Sequence, residues 1–296
     1  MSKVKIITDS NSGILQSEAD NLNLKVVPMP FTIDGEEYLE ELTISQETFY
    51  EKLKQDPDIN TSQPSVGYLQ DMFDEVLKEN DEIVFIPMSS GLSGTCSSAT
   101  ALSQEYDGKI EVVNNKRISV TQKESVYEAL AMAKQGKSAK EIKDYLEQTS
   151  KLSSIYIMLS TLKYLKKGGR ISPTAAALGS MLKIKPILCT RGGKFEKFAM
   201  ALTASQAKRK MLEQIKKEFL TEFKDEYEKG LMTVSVAHTQ NEADALKFKE
   251  EILKELPKAI FRFVDPLSLS VSCHIGPGAL AIAVAINNML NNKVEL

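Results

Sequence analysis

Residues 83–95 read IVFIPMSSGLSGT: four apolar residues, Ile83–Ile86, then a proline-led loop of serines, glycines and a threonine, with apolar spacing resuming at Cys96. So short an apolar run bounded by turn residues reads as a buried strand. Beyond the loop, Cys96, Ala99, Leu102 and Tyr106 fall on one side of a helix. Strand, polar loop and helix together are the repeating unit of a mainly parallel sheet covered by helices. Outward from this stretch the unit recurs. Lys3–Thr8 is a short apolar run ending in Asp9-Ser10-Asn11-Ser12-Gly13. Thr61-Ser62-Gln63-Pro64-Ser65 opens a helix whose one face carries Val66, Leu69, Met72, Phe73, Val76 and Leu77. Ile110–Val113 is another strand, followed by helices near Lys123–Lys134 and Ala139–Thr149. The run Lys25–Ile33 contains Pro28 and Pro30, which suits an edge or irregular strand.

After about residue 160 the texture changes. Thr161–Arg170 (TLKYLKKGGR) is basic and glycine-broken, and Ala175-Ala176-Ala177 leads towards a strand at Ile184–Thr190. Arg191-Gly192-Gly193-Lys194 has the composition of a hairpin turn. A charged helix over Gln206–Phe223, a strand Leu231–Ala237, a helix Glu242–Leu256 and a strand Ile260–Val264 follow, before the closing CHIGPGALAIAVAI. The expected division is into two α/β domains, 1–160 and 161–296. A chain of 296 residues is comfortable for two.

Composition narrows the function. Hydrophobic residues make up 42%, and 37 Lys+Arg against 40 Asp+Glu leave a formal charge of -3 with no long basic run. Nucleic acid is therefore a poor partner, because affinity there rests on neutralised phosphates. Cys96, Cys189 and Cys273 are odd in number and lack CxxC spacing, which argues against a disulfide framework or a zinc site. The charged strand at the start is no signal peptide, and Gly278–Ile286 is about half a membrane span. The expectation is a soluble, cytoplasmic protein with no membrane span.

In a parallel α/β sheet, ligands bind where strands hand over to helices. Three polar loops fall at such points: Thr8-Asp9-Ser10, Thr61–Ser65 and Ser89–Thr95. Helix N-termini offer free N–H groups and the positive end of a dipole, so each loop can hold an anion. No Arg or Lys lies within these loops, a composition that suits one compact carboxylate better than a triphosphate. The nucleotide-loop pattern GxxxxGK[ST] is absent, and Gly91-Leu92-Ser93-Gly94-Thr95 misses the last glycine of a GxSxG nucleophile turn. A hydrolase built on Ser93 would need His238 or His274 as its base, and these are the only histidines. His274 sits beside Gly276-Pro277-Gly278 and reads either as a neutral imidazole bonding the anion site or as a buried structural group; His238 reads as structural. Arg170, with Lys163, Lys166 and Lys167, forms either a solvated face or a docking surface for an acidic or phosphate-bearing partner.

These motifs in this order resemble the DegV family, whose FakB-type members bind fatty acids. The resemblance runs through TDSNSGI (8–14), VVPMPFTIDGEEYLE (26–40), TSQPS (61–65), SSGLSGT (89–95), YLKKGGRIS (164–172), LKIKPIL (182–188) and HIGPGA (274–279). It implies a two-domain fold, an N-terminal parallel-sheet α/β/α domain and a C-terminal α/β domain with a mixed sheet, with a long-chain fatty acid such as palmitate held between them. It further implies a lipid-binding subunit with no catalytic residue, metal or cofactor of its own. That subunit presents the carboxylate to a separate, ATP-dependent, dihydroxyacetone-kinase-like fatty acid kinase subunit, which makes an acyl phosphate for phospholipid synthesis. By the same resemblance the carboxylate falls to Thr61 and Ser93, with Ser62, Gly94 and Thr95 as neighbours and His274 completing the network. Arg170 matches the family's GGR arginine near the kinase docking face. The acyl pocket and docking turn are then contributions of 161–296. The chain departs from the family at Asn114-Asn115-Lys116-Arg117, where an aspartate and a serine are usual. It departs again after Phe195–Phe198, where an arginine-rich helix start is replaced by Ala199–Thr203 with basic residues only at Lys208, Arg209 and Lys210. A lipid hydrolase using Ser93 and His274, and a binder of another small carboxylate, remain the alternative readings.

Overall fold

A computed structural model describes residues 3–177 and 184–290; the chain ends, and Leu182 and Lys183 of the LKIKPIL motif, lie outside them. The first sheet has four parallel strands in the order Leu24–Val27, Val4–Asp9, Glu82–Ile86, Ile110–Val112. Side chains alternate across a strand, so Ile7, Ile83 and Phe85 face the helices Val66–Leu77 and Thr95–Ser103, packing with Leu69, Phe73 and Ala99. Ile6, Val84 and Ile86 face the opposite way, against Val126, Ala129, Ile142 and Leu146 of the helices Val120–Lys134 and Ala139–Gln148. Burial on both faces is why these strands read as unbroken apolar runs rather than alternating ones. Phe73 and Phe85 meet edge to face at 5.9 Å, and truncating either to alanine would cost about 3–5 kcal/mol.

The second sheet is mixed, with six strands in the order Glu196–Ala201, Lys185–Thr190, Ser153–Met158, Leu280–Ile286, Met232–His238, Ile260–Pro266. Only the last pair is parallel. Its strand Ser153–Met158 precedes residue 160 in the chain yet lies near the centre of this sheet. The apolar stretch near the C-terminus is its central strand Leu280–Ile286, buried at every position. Among the described residues no helix is long and apolar enough to cross a membrane. The helices Ala204–Leu220 and Glu242–Glu255 cover one face. The other face, through Ile157, Leu188 and Phe195, packs on Leu92 and Ile118 from the loops of the first sheet. The α/β class with a parallel and a mixed sheet is the one the sequence indicated.

One element differs from expectation. The run 25–33 is not one strand: Leu24–Val27 edges the parallel sheet, while Pro30–Ile33 centres a small antiparallel sheet with Glu36–Leu39 and Ile59–Thr61. Pro28, which has no N–H for a ladder, falls at the switch between the two sheets. The turn at 191–194 is a hairpin, as its composition indicated: residues 196–201 pair antiparallel with Lys185–Thr190 around it.

Candidate ligand-binding site

The small sheet ends at Thr61, beside the helix Leu269–Ile275 that carries His274. The Thr61 hydroxyl and His274 Nε2 lie 2.8 Å apart, joining segments remote in sequence. Glu40, 8% exposed, accepts from the Leu269 backbone N–H at 2.8 Å and so holds the start of that helix; Tyr50 donates to Ser272 at 3.0 Å. Burial pushes the Glu40 carboxyl up to about 8. Burial, with a smaller contribution from the Arg170 guanidinium, pushes the His274 imidazole down to about 4, so the ring is neutral at pH 7. Its Nδ1 is buried without a hydrogen-bond partner and faces Gly168, where an added Cβ would lie 1.9 Å from it. Glycine at 168 is therefore required by the ring packed on it.

The loop 89–95 is tied from both sides. Ser89 Oγ donates to the Gly192 carbonyl, its N–H donates to the Arg117 carbonyl at 2.9 Å, and its own carbonyl accepts from Leu92 and Ser93. Gly91 lies so close to the 191–194 turn that a Cβ would sit 2.2 Å from Gly192 O. Ser93 Oγ bonds to Thr95 Oγ1 at 3.0 Å and accepts from Thr95 N–H at 3.2 Å. Gly94, the N-cap of Thr95–Ser103, puts no side chain over the helix end. Arg170 spans the gap, donating from Nε to Leu92 O at 3.3 Å and from Nη1 to Gly168 O.

These residues surround a cavity of ≈ 190 Å³, against the roughly 10–15 Å³ needed to seat one water. Its polar lining is Asn11, Thr61, Ser62, Gln63, Ser93, Gly94, Arg170, Ser270 and His274, of which Ser62, Gln63 and Gly94 are exposed. Its apolar lining is Met29, Met88, Leu92, Ile118, Phe195, Val271 and Ile275, nearly all buried. The cavity thus has a hydroxyl-and-amide end open to solvent and an interior that is mostly hydrocarbon, apart from the buried, mutually bonded Asn11 and Ser270. Thr61, Ser62, Ser93, Gly94, Arg170 and His274 come together here. Thr95 is fully buried behind Ser93 and does not line the cavity. Of the expected loop Thr8-Asp9-Ser10 nothing faces it either. Asp9 is buried, its carboxyl raised by that burial, and accepts from Asn11, Met88 and Gln122; the adjoining Asn11 is what reaches the wall. His238 lies elsewhere, its Nδ1 accepting from Asn241 N–H at 3.3 Å. Arg117 is wholly buried against Glu128 at 3.5 Å, and Lys208 pairs with Glu251 at 2.6 Å.

A family model described as an uncharacterised protein of the DegV family matches residues 3–287. The chain belongs to the DegV family. A DegV domain-containing protein of Staphylococcus aureus is 32% identical over 289 residues, covering 96% of this chain and 99% of that one. Among solved structures, DegV of Bacillus subtilis, described as a fatty acid binding protein, superposes with a TM-score of 0.81 at 29% identity, covering 97% of this chain and 100% of that one. A DegV family protein of Thermus thermophilus, described by its fatty acid binding, gives 0.83 at 26% identity, with 96% and 100% covered. Within this DegV-family chain, sequence reasoning missed Asn11, Met29, Met88, Ile118, Phe195, Ser270, Val271 and Ile275 in the wall. Only Met29 carried a signal: it stands between Pro28 and Pro30, where the chain changes sheet and must turn a side chain inward.

Proposed function

We propose that this chain binds one long-chain fatty acid in the amphipathic cavity, carboxylate outward, and presents it to a separate ATP-dependent kinase subunit. The observation that carries the reading is the Thr61–His274 pair at the polar end of a cavity whose interior is mostly buried hydrocarbon. A neutral imidazole protonated on Nε2 donates to Thr61 Oγ1 and leaves the threonine proton for a carboxylate, with Ser93 as second donor. The tail supplies most of the affinity, since each buried methylene contributes about 0.8 kcal/mol. Hydroxyl donors orient the carboxylate without the tight ion pair that would blunt its attack on phosphorus. Arg170, half-buried at the cavity rim, is the residue we assign to contact with the kinase. The same geometry disfavours a Ser93 hydrolase: Ser93 bonds Thr95, and His274 has Thr61 on one nitrogen and no carboxylate on the other.

Titration of delipidated protein with palmitate tests the assignment. Each of Thr61→Ala and Ser93→Ala removes a hydrogen bond to a charged group, about 1.5–3 kcal/mol, so affinity falls roughly 10- to 150-fold. Unchanged affinity in both variants would remove the carboxylate from this end of the cavity.

A further inference from the structure

A second cavity, ≈ 390 Å³, shares Thr61, Arg170 and His274 with the first as a common wall. Its other walls are charged where those of the first are greasy. Asp56 and Asp58, on the segment before Ile59–Thr61, face Lys163 and Lys167 of the helix Lys163–Gly168. Lys163 pairs with Asp56 and Lys167 with Asp58, and all four side chains are about half exposed, from 49% to 66%. Ion pairs that wet contribute about 0–1 kcal/mol each, so either lysine can change partner at little cost. Arg170 spends Nε and Nη1 on backbone carbonyls, and neither bond uses Nη2. Three cations thus stand against two carboxylates beside a neutral imidazole. An acyl tail has no place among such groups, whose desolvation is costly. A phosphoryl group does, because lysine serves as a point charge for phosphate and arginine as a fork.

We propose that this second cavity receives the phosphoryl end of an acyl phosphate, held by Lys163, Lys167 and Arg170, while the tail stays in the first. The inference rests on the carrier reading above. In the step it serves, a carboxylate oxygen forms a bond to the γ-phosphorus of a nucleoside triphosphate held by the partner subunit. The bond from that phosphorus to the β–γ bridging oxygen breaks, its electron pair leaves with the diphosphate, and no proton is needed. The product carries more negative charge than the acid, and the shared wall puts the excess cation next to the oxygen that gains it. Asp56 and Asp58 hold the lysines in place beforehand and give them up on transfer.

The test uses delipidated full-length protein and two probes, palmitate and a palmitoyl-methylphosphonate in which CH2 replaces the bridging oxygen. Lys163→Gln/Lys167→Gln should weaken the phosphonate about ten-fold more than it weakens palmitate. Asp56→Asn/Asp58→Asn, which frees the lysines, should tighten the phosphonate and steepen its salt dependence. Equal losses for both probes, or weaker phosphonate binding in the aspartate variant, would mean that the pairs only strap two segments together, and would overturn the proposal. Wild-type protein that takes palmitate but not the phosphonate overturns this inference alone; protein that takes neither overturns the carrier reading beneath it.

Discussion

Replacing Gly168 by alanine sets two effects of opposite sign against each other. Gly168 is the last residue of the helix Lys163–Gly168, and glycine there costs about 1 kcal/mol relative to alanine on helix propensity. Propensity alone therefore predicts a more stable protein. The added Cβ, however, would lie 1.9 Å from His274 Nδ1 and 2.6 Å from Cε1, where ordinary contacts begin at 3.4 Å. The ring must retreat by roughly 1.5 Å, and it is short, buried and held on its other edge by Thr61 at 2.8 Å. Overpacking of this kind costs about 1–3 kcal/mol. Breaking the Thr61–His274 bond inside a buried wall adds about 1–3 kcal/mol. The clash outweighs the propensity gain, so Gly168→Ala should lower stability by about 1–5 kcal/mol in urea denaturation and weaken palmitate at least as much as Thr61→Ala does. A variant as stable as wild type with unchanged palmitate affinity would refute the claim that this glycine exists to seat the imidazole.

Two further predictions concern pH. The His274 imidazole falls from 6.5 to about 4 on folding, so its stability contribution is full above pH 6.5 and is lost as pH drops from 6.5 towards 4. The loss is on the order of 3 kcal/mol, and His274→Gln should flatten that limb of the stability–pH curve; an unaltered limb would show that the loss comes from other groups. Glu40 runs the other way: raised from 4.5 to about 8, it contributes most below pH 4.5 and loses that contribution as pH climbs through 8. Glu40→Gln keeps an acceptor for Leu269 N–H, so it should stabilise the protein at pH 9 and change little at pH 4. Equal destabilisation at both would mean the carboxylate form is required.

Much of the site could be read from the chain because its polar loops lie where strands hand over to helices, and three such loops together exceed what capping alone, as at Ser65, requires. The loops that hold Thr61 and Ser93 were legible for that reason; the choice of Thr61, Ser93 and His274 within the site rests on the resemblance to the family, and their mutual bonding pattern was not legible. What stayed hidden depends on tertiary contact. Nothing in LKKGGR says that Gly168 is small for the sake of a histidine a hundred residues later, or that Arg170 fastens the Ser93 loop through Leu92 O. The hairpin at Arg191–Lys194 was legible in its glycines, whereas the extent of the returning strand Glu196–Ala201 is set by pairing with Lys185–Thr190. The apolar wall cannot be picked out locally, since Ile118 or Phe195 looks like any core residue until both sheets are in place.

We propose that the cavity holds one fatty acid. Native mass spectrometry of freshly purified protein, followed by solvent extraction and identification of what is released, tests it most directly. The expected result is a single long-chain fatty acid per chain, displaced by added palmitate and depleted in Thr61→Ala. Protein that emerges empty, and stays empty when palmitate is supplied, would contradict it.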